Sequence, residues 1–168
     1  MDTILLSKLV PFLAAYPDIR VEVVIDQGLT DIVSERFDAG IRLGEQVDRD
    51  MIATRIGPDI QMGVVGSPVY FAAMPRPVVP QDLTQHRCIN LRLQTQGGLY
   101  GWEFTRDGRD LRVRVAGQLT FNRMPQIVQA ALAGVGLAMV PVDRFAEHLA
   151  AGRLVPVLQD WWPSFAGH

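Results

Sequence analysis

The sequence predicts an α/β protein of two lobes with a ligand cleft between them, and three observations carry that expectation. The stretch Leu29 to Glu45, LTDIVSERFDAGIRLGE, reads as a short helix, a tight turn and a buried strand, and the alternating run Ile19 to Ile25 before it reads as another strand. Strand, helix, strand is the unit that builds parallel sheet. Three helix starts, at Thr30, Ser67 and Asn122, each follow a strand directly. Strands and helices continue beyond Ile60, broken by a connector, Met74 to Pro80, that holds three of the eleven prolines. The expected division is a first lobe over 1–66, a second over 67–160, and the start of a return to the first lobe over 161–168.

Each element has a local reason. Ile4 to Tyr16 is an amphipathic helix with Leu5, Leu9, Phe12, Leu13 and Tyr16 on one side, and Pro11 is expected to bend it or to mark its first turn. Leu29, Ile32, Val33 and Phe37 recur at helical spacing, with Thr30 or Asp31 as the cap. Ala39 to Leu43 follows as a strand with one charge, Arg42, set into it. Gln46 to Asp59 is polar, and Ile60 to Gly66 is a strand. Ser67-Pro68 is a strong helix start, a serine cap with proline at the first helical position. Pro80 to Leu83 is one helical turn, and Cys88 to Arg92 a strand.

Trp102 to Thr105 and Asp110 to Val115 form a hairpin around Asp107-Gly108, a pair suited to a type I′ turn. Gln118 to Phe121 is a further strand. Asn122 is expected to cap a helix to about Ala133, where Pro125 is harmless in the first turn and Gly134 and Gly136 stop it. Leu137 to Val140 is a strand, Asp143 to Leu149 a helix closed by Gly152, and Leu154 to Leu158 a last strand.

Composition narrows the function. The 168 residues are 48% hydrophobic and 20% charged, ample for a core in a soluble protein. A net charge of −2 offers no electrostatic footprint for nucleic acid, and the arginines at 106, 109, 112 and 114 are diluted by Asp107 and Asp110. The single cysteine, Cys88, excludes an internal disulfide and suits a reducing cytosol. No apolar run approaches the roughly 18 residues of a membrane span, and Lys8 interrupts the N-terminal apolar run with no basic region before it. The expected location is the cytoplasm, without membrane attachment.

The motifs point to binding and away from catalysis. Gly134-Val135-Gly136 follows a helix and precedes a strand, the reverse of a dinucleotide fingerprint, and reads as a helix stop. His86 and Cys88 lack further ligands nearby in sequence, so a connector histidine beside a buried cysteine is the reading, and no metal or cofactor is expected. At Gly66-Ser67-Pro68, proline beside the serine removes the N–H that an oxyanion hole would need, so Ser67 is a cap and the chain is not expected to be an enzyme. Asp26, Asp31 and Glu45 are candidates for acid–base carboxylates, and capping and a solvated loop explain them as well. Arg42 either holds a ligand carboxylate or pairs internally with an acid such as Asp38. Trp161 and Trp162 either line a ligand site or cover the core after the last strand, and the second is the favoured reading. Helix N-termini bind anions. If the three at Thr30, Ser67 and Asn122 face one cleft, its ligand is a small acid.

The segments LVPFLAAYPDI, LTDIVSERFDAGIRLGE, VVGSPVYFA, PQDLTQHRCI, LTFN, AALAGVGLAMVP and LAAGRLVPVLQDWWP occur in the order found in LysR-type transcriptional regulators. The chain resembles the effector-binding domain of that family, and the likeness covers nearly its whole length. It implies the type 2 periplasmic-binding-protein fold and a small-molecule effector in the inter-lobe cleft. It also implies a homodimer or tetramer in the intact regulator. By position it implies effector contacts at Gly28, Leu29 and Thr30, at Arg42, Leu43 and Gly44, at Gly66 and Ser67, and at Asn122 and Arg123. The family's helix-turn-helix, linker helix, first strand and returning strand and helix have no counterpart here. The resemblance therefore implies a piece truncated at both ends, with DNA contacted only through a missing N-terminal domain. A solute-binding protein of a transport system shares the fold and is the alternative.

Overall fold

Strand β1, Ile60–Gly66, organises the sheet. The structure, a computed structural model, describes residues 2–25, 35–41, 52, 54–93 and 98–166. β6, Ala138–Pro141, pairs antiparallel along one side of β1, with Val64 opposite Met139 and Met62 opposite Pro141. The other side is shared. β7, Val155–Val157, takes its upper half, and β8, Ser164–Phe165, takes its first two residues, Ile60 and Gln61. Between them Leu158 turns into the left-handed region (φ 57°) and a 3₁₀ turn spans Gln159–Trp161. The Met62 N–H donates to the Pro163 carbonyl at 3.0 Å, which carries the ladder across the gap.

Beyond β6 the sheet changes direction. Ile89 N–H donates to Leu137 O, and Leu137 N–H to Arg87 O, both at 2.8 Å, in a parallel bridge. β2, Asn90–Leu91, then pairs parallel with β5, Thr120–Phe121. The spatial order is β5, β2, β6, β1, then β7 and β8 together.

Both faces are buried, as the near-continuous apolar runs require. Alternation along the strands sends Met62, Val64, Cys88, Leu137, Met139 and Val157 to one face. There they meet Tyr70, Leu83, Trp102 and Phe104. Val65, Ile89, Ala138 and Val140 go to the other, against Ile127, Val128, Ala131, Phe145 and Leu154. Helix α2, Pro68–Ala73, and the hairpin of β3, Trp102–Arg106, with β4, Arg109–Val113, cover the first face. Helix α3, Met124–Leu132, covers the second.

Several local expectations hold. Ser67 Oγ accepts from the Tyr70 N–H at 3.3 Å, with Pro68 at the first helical position. Asp107 (φ 52°) and Gly108 (φ 72°) both lie in the left-handed region, the signature of the type I′ turn. Gly134 (φ 79°) ends α3 as a glycine stop.

Other expectations are corrected. Ile19 to Ile25 is exposed and in no ladder among the described residues, so it is not the strand its alternation suggested. Residues 39–41 are likewise outside any strand. Helix α1, Asp2–Ala15, runs through Pro11, which therefore does not mark the first turn. Asp143 does not open one continuous helix. A 3₁₀ turn, Val142–Arg144, gives way at Phe145 (φ −128°) before α4, Ala146–Ala150. The break buries the Phe145 ring fully, edge-on to Trp162 at 6.0 Å. Asn122 is not the cap of α3. The cap position falls to Arg123, whose side chain makes no capping hydrogen bond.

Candidate functional site

The parallel strands decide where a site can lie. β2, β5 and β6 point the same way, so Leu91, Phe121 and Pro141 end at one edge of the sheet. β1 runs against them and begins at that edge. Ligands in α/β sheets sit outside the carboxyl ends of the strands. Here that edge carries Arg92, Asn122, Arg123 and the start of α3.

Its chemistry suits an anion. Asn122 and Arg123 are exposed, and Arg123 is extended (φ −137°, ψ 136°). The Arg123 side chain makes no capping hydrogen bond to the first turn of α3, where Pro125 has no N–H, and the nine-residue helix adds the positive end of its dipole. Arg92 is fixed beside them because its N–H donates to Phe121 O at 2.7 Å. At the β1 end of the same edge, the Arg106 guanidinium lies over the Trp161 ring, 5.0 Å from its centre. One side-chain row behind the edge, Asn90 is buried, and among the described residues its Oδ1 has no hydrogen-bond partner, an acceptor that calls for a donor and not for an anionic oxygen.

Among the described candidates, the structure brings Asn122 and Arg123 together and leaves Gly66 and Ser67 elsewhere. The latter two stand at the far end of β1, about 20 Å away for a seven-residue strand. Ser67 is 2% exposed and spends its hydroxyl on the α2 cap. A Cβ at Gly66 would come within 2.7 Å of Leu137 Cδ2 and 2.9 Å of Phe71 Cε2, so this glycine serves packing. Expecting them at the same edge assumed that β1 is parallel to its neighbours, which it is not. Gly28, Leu29, Thr30, Arg42, Leu43 and Gly44 lie outside the described residues. Arg92, which stands at the same edge as Asn122 and Arg123, was not among the expected residues. Arg92 stands at the C-terminus of a predicted strand, so the rule that singled out Arg42 would have found it.

His86 and Cys88 behave as structural groups. Tyr70 Oη lies 3.0 Å from His86 Nδ1 and accepts the Arg87 N–H at 3.1 Å. The buried Cys88 thiol is pushed up to about 12 by desolvation, far from a reactive thiolate. Among the described residues, no group of three or more His, Cys, Asp or Glu side chains is placed to hold a metal ion. No described helix is long and apolar enough to cross a membrane.

Fold and edge together define an α/β ligand-binding lobe. The chain belongs to the LysR substrate-binding domain family, whose model matches residues 1–166. It is 55% identical over 166 residues to a Pseudomonas aeruginosa protein described as a transcriptional regulator, across 99% of this chain and 54% of that one. It is 46% identical to the HTH-type transcriptional regulator PgrR of Escherichia coli, again over 99% of this chain and 56% of the relative. The chain thus spans about half the length of these relatives. Among solved structures, the regulatory domain of AphB in Vibrio vulnificus superposes with a TM-score of 0.79 at 26% identity, over 94% of this chain and 78% of that one. CrgA, a LysR-type regulator from Neisseria meningitidis, shares the fold with a TM-score of 0.76 at 22% identity, over 98% of this chain and 57% of that one.

Proposed function

We propose that this chain is the effector-sensing part of a cytoplasmic LysR-type regulator, and that it takes a small anionic metabolite against the edge where β2, β5 and β6 end. The observation that carries this reading is the uncapped start of α3, with Asn122 and Arg123 exposed beside Arg92. Free N–H groups and guanidinium donors match carboxylate or phosphate oxygens and offer nothing to a cation. In this reading the part of the chain before β1 supplies the opposite wall through Gly28 to Thr30 and Arg42 to Gly44. The lobe built on the sheet supplies the edge, and it takes in β1 from 1–66 and β8 from 161–168, so the expected boundaries at 66 and 160 do not follow the sheet.

Occupancy of the cleft would then control DNA binding by a helix-turn-helix outside these residues, in a homodimer or tetramer. Relatives bearing helix-turn-helix names support that step. The test is calorimetric screening of small mono- and dicarboxylates, with the Arg123→Gln variant alongside. A saturable acid whose affinity falls on the substitution supports the site. An effector that binds equally well to the variant, or a neutral effector preferred over every acid, refutes it.

A further inference from the structure

A hollow lies at the other end of the sheet, and it has its own chemistry. About 460 Å³ in volume, it is lined by Ser67, Pro68, Val69, Gln129, Leu132, His148, Gly152 and Arg153. It sits between the start of α2 and the ends of α3 and α4, beside the C-terminus of β1. It is therefore distinct from the edge that carries Asn122 and Arg123.

Its polar wall is internally ordered. Arg153 Nε donates to His148 Nδ1 at 3.1 Å. Arginine has donors only, so Nδ1 must be the acceptor, and the proton of the neutral imidazole is fixed on Nε2. The pair thus offers a second N–H from His148 and the guanidinium charge. The backbones of the two residues are joined as well, because the Arg153 N–H donates to the His148 carbonyl at 2.8 Å. Among the described residues, no carboxylate forms an ion pair with Arg153. Opposite this wall the lining is apolar: Pro68, Leu132 and Val69, which is 73% exposed. Its volume falls in the range of ligand hollows, which pair an apolar lining with a few polar groups that set orientation, and it is open to solvent on the Val69 side.

We propose that this hollow is a second small-molecule site, selective for a monocarboxylate with a compact apolar body. The carboxylate meets the Arg153 guanidinium and His148 Nε2–H, and the apolar part rests on Pro68, Val69 and Leu132. Arginine recognises carboxylates bidentately through its planar fork, so lysine is no substitute there.

The test is a two-dimensional amide NMR titration of the chain with phenylacetate, and with phenylacetamide as its uncharged counterpart. The expected result is saturable phenylacetate shifts at Val69, Gly134, Gly152 and Arg153, with phenylacetamide at least ~10-fold weaker, the cost of one charge-assisted hydrogen bond. Arg153→Gln and Arg153→Lys should each weaken phenylacetate by ~10-fold or more while leaving the rest of the spectrum in place. Arg153 is exposed, so the variants keep the fold. Three results overturn the proposal: no saturable shift at these amides, equal binding of acid and amide, or unchanged affinity in both Arg153 variants. Shifts confined to residues 122–124 would also overturn it, while supporting the anion edge. Failure at the edge with shifts at the hollow would separate the two in the other sense.

Discussion

Replacing Asn122 by alanine separates a ligand contact from a structural role more cleanly than any other change. A true helix cap is worth about 1 kcal/mol, so a capping Asn122 would lower fold stability by that amount when truncated. The structure assigns the cap position to Arg123 and leaves Asn122 exposed, between β5 and α3. Stability of Asn122→Ala should therefore stay within about 0.5 kcal/mol of the parent, as for ordinary surface changes. Affinity is a different matter. A hydrogen bond from the amide to a charged ligand contributes roughly 1.5–3 kcal/mol, or on the order of 10- to 100-fold in Kd. Thermal melts give the first quantity and calorimetric titration with the effector gives the second. A loss near 1 kcal/mol with unchanged affinity would mean that Asn122 is only a cap. It would remove Asn122 from the edge site.

Ser67→Ala should behave in the opposite way: its hydroxyl caps α2 at the far end of β1, so melts should show about 1 kcal/mol lost while effector affinity stays the same. A drop in affinity would put Ser67 back in the site. His86 should make stability fall with acid. Burial holds its pKa below the usual 6.5, with Asp82 partly offsetting this, so the folded state takes up the proton less readily than the unfolded chain. The contribution is fully present above about pH 6.5 and is lost as pH falls from there through the folded-state value. Denaturant melts from pH 7.5 to 5 should show this slope, and a His86→Phe variant with the same slope would exclude His86 as its source. The exposed apolar residues of 6–25, among them Leu6, Val10, Val21, Val23 and Ile25, should drive the 168-residue chain to associate. Light scattering that shows a monodisperse monomer across the micromolar range would contradict that.

Local chemistry written into the sequence was legible wherever a residue type leaves few options. Ile60–Gly66 is a strand in both readings because its run IQMGVVG is bounded by Pro58 and Ser67-Pro68, which punctuate the chain on either side. The Ser67 cap, the Asp107-Gly108 turn and the Gly134 stop each follow from one side chain or one left-handed φ, and these need no distant partner. The family likeness was also readable, since it rests on the order of segments.

What the sequence alone left open is the direction and company of those elements. A strand buried on both faces reads as an unbroken apolar run, which is silent on whether its neighbours lie parallel or antiparallel. Only pairing with β6 and β7 reversed β1, and that reversal sent Gly66 and Ser67 to the far end from Asn122 and Arg123. The same holds at Phe145, where burial of one ring against Trp162 split a segment that helix spacing had joined. Ile19 to Ile25 has the alternation of a strand, but alternation sets only which side chains share a face. A strand also needs a partner for its backbone N–H and C=O groups, and that comes from elsewhere in the chain.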